Sequence, residues 1–91
     1  MDLSATEATI RTFLVEDVFY DRDLQDLGPN DSLLDRGLLD SLAILKTVTF
    51  CEEQFGIAIP DEDVLPDHFE TVRGIAKLVE RVRAAQGETK A

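Results

Sequence analysis

The 91 residues fit one small domain, which buries only ~60–65% of the surface its unfolded chain exposes; with 44% hydrophobic and 31% charged residues the chain can build a core and is too apolar for disorder. Nineteen acidic residues against nine basic ones give a formal net charge of −10, which repels nucleic-acid backbones and anionic membranes and draws in enzymes carrying Arg and Lys patches. One cysteine, Cys51, cannot close an internal disulfide, and one histidine, His68, cannot supply a cluster of metal ligands. No apolar run approaches the ~20 residues of a membrane helix, and residues 1–10 lack the basic-then-apolar layout of a secretory signal. A cytoplasmic monomer is expected.

Residues 4–20 place Ile10, Phe13, Leu14 and Val18 at helical spacing after a candidate N-cap at Ser4, with Glu7 three residues on. Residues 21–40 contain Gly28-Pro29-Asn30-Asp31 and then Gly37, residues that favour turns. Twenty residues is long for a connection, and such loops are usually functional; Leu33, Leu34, Leu38 and Leu39 are expected to pin this one to the core. A second helix begins at Asp40, whose carboxylate can accept a backbone N–H, and stops at Gly56, which tolerates the left-handed conformation. Its inner stripe reads Ile44, Val48, Cys51 and Phe55. Ile57-Ala58-Ile59 forms an extended link, and Pro66 limits residues 60–69 to brief helical turns. Thr71 caps a last helix with Val72, Ile75, Ala76, Val79 and Val82 on one face. The fold class is all-α: three main helices plus a short third helical segment, with residues 1–85 as the domain and residues 86–91 as a flexible tail.

Gly37-Leu38-Leu39-Asp40-Ser41-Leu42 sets a reachable serine hydroxyl on the first turn of a helix, at the end of a long loop. A phosphodiester attached there would feel the positive end of the helix dipole and the unpaired N–H groups of the first turn. These residues resemble the attachment motif of the acyl carrier and peptidyl carrier proteins. The likeness continues through Glu52-Glu53-Gln54-Phe55-Gly56-Ile57, Ile59-Pro60-Asp61-Glu62 and Thr71-Val72. The resemblance implies that Ser41, flanked by Asp40 and Leu42, takes 4′-phosphopantetheine from coenzyme A through a phosphopantetheinyl transferase. The terminal thiol of that arm would then carry an acyl or aminoacyl group as a thioester. It also implies an acyl- or aminoacyl-activating loading enzyme and downstream transferase or tailoring enzymes as partners, with no catalysis by the chain itself. The doubled leucine before Asp40 is more similar to freestanding carriers of dedicated, natural-product pathways than to the fatty-acid pattern, and Lys46 stands where fatty-acid carriers tend to be acidic.

Steps of ~100° per residue put Leu42, Leu45 and Thr49 on a flank of the second helix beside its inner stripe, with Lys46 and Glu53 further round; these five residues are the expected partner-binding face. Phe50 lies on the other flank, where it either packs against a neighbouring segment or anchors a contact, and packing is the favoured reading. Cys51 belongs to the inner stripe as a small hydrophobe, and no second catalytic group matches His68. Asp21 to Asp26 departs from a calcium loop at its sixth and twelfth positions, and Asp61-Glu62-Asp63 favours a helix start. Two other functions compete: a carrier-like interaction module that is never modified, and a small hydrolase built on Cys51 and His68, against which the helical pattern argues.

Overall fold

The computed structural model describes residues 3–89. Ile10 and Leu14, one helical turn apart, are both buried and draw the first helix, α1 (Ser4–Phe13), onto the core. The helix begins one residue earlier than a Ser4 cap requires. Leu3 occupies the cap position with nearly helical backbone, and the Glu7 N–H donates to the Leu3 carbonyl at 2.7 Å. The Glu7 carboxylate turns away from any capping box to accept from Arg73 Nε at 2.8 Å on the last helix. A long-range ion pair has displaced the local cap. Thr6, also buried, donates to Glu80 Oε2 at 2.7 Å on the same partner helix.

The helical run expected to reach residue 20 changes character at Leu14. Leu14–Val18 is a π-helical turn, closed by an i→i+5 bond from the Phe19 N–H to the Leu14 carbonyl at 2.8 Å. Beyond it the long loop is ordered by what it buries and by one arginine. Leu24, Leu27, Leu33 and Leu38 are in the core, whereas Leu34 is 53% exposed and does not pin the loop as expected; it lies on the outer side of a turn in which the Gly37 N–H donates to its carbonyl at 3.0 Å. From α1, Arg11 donates to the carbonyls of Leu27, Leu24 and Gln25 at 2.8, 3.2 and 2.9 Å. The loop also leans on the last helix and its approach, with the Leu33 N–H on the Glu70 carbonyl at 2.7 Å and the Arg73 N–H on the Pro29 carbonyl at 2.9 Å.

Helix α2 (Ser41–Phe55) ends at Gly56, whose φ of 65° is the left-handed conformation a C-cap glycine supplies. Its buried stripe is Ala43, Ile44, Thr47 and Cys51, while Val48 and Phe55 are only half-buried. Thr47 escapes a polarity pattern because its hydroxyl donates to the Ala43 carbonyl at 2.8 Å and enters the core satisfied. Ile57 and Ile59 then alternate inward around exposed Ala58. Two 3₁₀ turns, Asp61–Asp63 and Pro66–Phe69, fill the short third segment. Helix α3 (Val72–Thr89) carries its apolar stripe wholly buried, and the Gly74 N–H donates to Thr71 Oγ1 at 2.8 Å, as a cap at Thr71 requires. A side chain at Gly74 would meet that same hydroxyl at 3.1 Å and the His68 carbonyl at 3.3 Å. Residues 86–91, expected as a tail, begin inside α3, where the Gln86 side chain both donates to and accepts from the Ala58 backbone at 2.6 and 3.0 Å; Lys90 and Ala91 lie outside the described residues. Among the described residues the fold is all-helical, with no strand, and no helix is long and apolar enough to cross a membrane.

Candidate functional site

The loop delivers Ser41 from a fixed platform. Gly37 turns the chain with φ at 72°, Leu38 is buried, Leu39 is half-buried against the core, and Asp40 is extended (φ −143°, ψ 175°) before the helix starts at Ser41. Asp40 Oδ1 accepts the Ala43 N–H at 2.7 Å, and the Asp40 carbonyl accepts the Ile44 N–H at 3.0 Å. Of the first N–H groups of α2, those of Ser41 and Leu42 are left without an acceptor inside the helix. The Ser41 side chain is exposed, and among the described residues no other side chain bonds its hydroxyl. Among the described residues no side chain is placed to take its proton.

Alongside Asp40 and Leu42 lies a shallow hollow of about 170 Å³ whose lining includes Arg22 and Lys46. Neither cation has an ion-pair partner among the described residues. Asp21 and Asp40 line the same hollow and offset these cations, so what suits a phosphodiester is the exposed hydroxyl, the braced backbone and the two N–H groups at the positive end of the helix. The residues fit an anionic ester on Ser41.

Down α2 from this point, Leu42 and Leu45 are 62% and 58% exposed, and Lys46, Thr49 and Glu53 are exposed as well. Four of the five residues of the expected partner face, Leu45, Lys46, Thr49 and Glu53, line one groove of about 490 Å³, whose other wall is Phe13, Asp17 and Val18; Leu42 lines the neighbouring hollow. Phe50 forms part of the groove too. Its ring stacks on Phe13 at 4.0 Å between centroids and 8° between planes, and meets the edge of Phe55 at 6.5 Å, so it is packed on one side while half-buried overall. Sequence reasoning missed the second wall of the groove and Arg22: Phe13 closes α1 and stacks on α2, Asp17 and Val18 lie in the π turn, and Arg22 lies in an irregular segment. The half-apolar position of Phe13 was the one available signal.

The other candidates have structural partners or lie buried. Cys51 is fully buried, and burial together with the neighbouring Glu52 carboxylate pushes its thiol up to about 12, so it is no nucleophile at neutral pH. His68 Nδ1 donates to the Asp63 carbonyl at 2.8 Å, joining the two 3₁₀ turns. In the faint calcium-like stretch, Asp26 pairs with Arg36, whose guanidinium holds that carboxyl below its usual range.

A family model described as "Phosphopantetheine attachment site" matches residues 13–79, a span that contains the π turn, the long loop, α2 and the first part of α3. An acyl carrier protein of Streptomyces coelicolor is 40% identical over 70 residues, covering 76% of this chain and 74% of that protein. The chain belongs to the phosphopantetheine-attachment family of carrier proteins. Its prosthetic group is covalently attached 4′-phosphopantetheine, which supplies a terminal thiol for a thioester-bound cargo. Carriers of this family work with a phosphopantetheinyl transferase and with biosynthetic enzymes.

Proposed function

We propose that Ser41 is the attachment point and that the chain is a discrete, monomeric, cytoplasmic carrier of a specialised natural-product pathway, holding an acyl or aminoacyl group for a dedicated loading enzyme. The single observation that carries this reading is the exposed Ser41 hydroxyl at the first position of a helix capped by Asp40. Attachment forms a bond from Ser41 Oγ to the phosphorus that bears the pantetheine of coenzyme A, breaks the pyrophosphate P–O bond so that adenosine 3′,5′-bisphosphate leaves, and passes the hydroxyl proton to a base of the transferase; among the described residues no side chain bonds that hydroxyl. Leu42, Leu45, Lys46, Thr49 and Glu53 form the face that meets the partner enzymes, with apolar anchors setting the lifetime of the complex and charges setting encounter and choice. Lys46 puts a cation on an otherwise acidic surface and supports a dedicated partner. The chain itself catalyses nothing; its arm raises the effective concentration of cargo at each enzyme in turn.

The test is to isolate the protein from its native cell and sequence the peptide that spans Ser41 by mass spectrometry. The expected peptide carries the arm and an acyl or aminoacyl group. An arm found on any other residue refutes the assignment of Ser41, and a cargo drawn from ordinary fatty-acid synthesis refutes the specialised pathway.

A further inference from the structure

Ser41, Leu45, Thr49 and Glu53 follow one another at helical i, i+4 spacing and form one row along α2, and all four are exposed. The last three line the groove of about 490 Å³ whose far wall is Phe13, Asp17 and Val18, a volume in the range of small-ligand sites. A group anchored on Ser41 therefore meets the mouth of this groove one helical turn away, with Leu45 as its first contact. Phe50 follows Ser41 by nine positions, ~13 Å along the helix axis. The roughly fourteen bonds from Ser41 Oγ to the thiol of a 4′-phosphopantetheine arm reach ~16 Å when extended, at the ~3.5 Å that three backbone bonds span. Such an arm is long enough to set a thioester beside the Phe13–Phe50 stack, whose ring centroids lie 4.0 Å apart.

The core offers far less room. A hollow bordered by Leu14, Ile44, Phe69 and Ile75, all of them buried, measures about 10 Å³, enough for one water at most. We propose that the groove between α2 and the π turn is the resting site of the cargo: the arm runs along Leu45 and Thr49, and an uncharged, apolar acyl group lies against Phe13, Val18 and Phe50 on the outside of the bundle. The charges suit a neutral occupant. Asp17, Lys46 and Glu53 line the groove together, and none of the three has an ion-pair partner among the described residues. Two carboxylates and an ammonium on one rim offer acceptors and a donor at once, which match the amide N–H groups and carbonyls of the arm. A basic occupant would be opposed by Lys46, and an acidic one by Asp17 and Glu53. A second copy of this chain would bring a further net charge of −10. That an arm enters the groove rests on the carrier reading; the groove, the open row that leads to it from Ser41 and the tight core do not.

The test loads the whole chain with a hexanoyl arm, using hexanoyl-coenzyme A and a broad-specificity transferase, and confirms loading by intact mass. Nuclear Overhauser contacts from an isotope-labelled hexanoyl chain are expected to the Phe13 and Phe50 rings and to the Val18 and Leu45 methyls. Hydroxylamine should cleave this thioester about tenfold more slowly than hexanoyl-pantetheine free in solution, the ratio that burial of roughly two methylenes supplies. Leu45→Ala with Val18→Ala should lose most of that protection. Leu65→Ala, at a leucine 48% exposed that does not line the groove, should keep it within about twofold. Contacts to Leu14, Ile44, Phe69 or Ile75 would place the acyl chain in the core and overturn the proposal; so would cleavage as fast as in free solution, or equal losses in the two variants. Should the double variant fail to fold, the contacts and the cleavage rate of wild type decide alone. A wild-type chain that never takes the arm refutes the carrier reading and the resting site with it, whereas one that takes the arm and leaves its thioester unprotected refutes the resting site alone.

Discussion

Asp40 holds the serine turn by one charge-assisted bond, from the Ala43 N–H at 2.7 Å. Removing a cap of this kind costs about 1 kcal/mol, in a range of roughly 0.5–2. Asp40→Ala should therefore lower the unfolding free energy measured in urea by that amount, and Asp40→Asn should recover most of it; equal losses in both variants would show that charge and not capping is what matters. Cys51 gives a second test at this scale. Its thiol is pushed up to about 12 by burial, with the Glu52 carboxylate adding to the effect, so the folded state favours the neutral form. A group with a raised folded pKa contributes stability that is present below the unfolded value and is lost as pH rises toward the folded one. Stability should decline from about pH 9 upward, and at pH 8 iodoacetamide should label the native thiol far more slowly than the urea-unfolded one. Equal labelling rates would place Cys51 on the surface.

At the scale of elements, α2 and the loop before it are held by different means, and only one of them is visible in the sequence. The caps at Asp40, Gly56 and Thr71 and the stripe of α3 are written in neighbouring residues, so local chemistry finds them. The loop is different. Arg11 reaches across 13 to 16 residues of sequence to three carbonyls, and nothing near Arg11 announces that. Ser4 reads as a cap until Arg73 claims Glu7, and Val18 reads as a stripe residue until the π turn carries it to the groove. The serine turn of the candidate site was legible because its geometry is local; the α1 wall of the groove was not, because it depends on how two helices meet. Arg11→Met keeps the aliphatic stem and removes the donors, and it should cost roughly 1–3 kcal/mol while speeding amide exchange throughout residues 21–40. Unchanged exchange in that segment would mean that its buried leucines order the loop without help.

For the molecule as a whole, ten excess negative charges share the surface of a 91-residue domain, and their mutual repulsion opposes the compact state. Raising the salt from about 10 to 150 mM shortens the reach of that repulsion from ~30 to ~8 Å, so Tm should rise, and divalent cations should raise it further at equal ionic strength. A Tm that is flat or falling would show that the surface ion pairs of Arg36, Arg73, Arg81 and Arg83 outweigh the repulsion. The same charge favours encounter with basic surfaces. The central claim, that this chain is a carrier modified at Ser41, is tested most directly by intact mass after incubation with coenzyme A and a broad-specificity transferase. Wild type and Ser32→Ala should each gain one 4′-phosphopantetheine and Ser41→Ala none. A gain on the folded Ser41→Ala protein, or no gain on wild type with any competent transferase, would contradict the account.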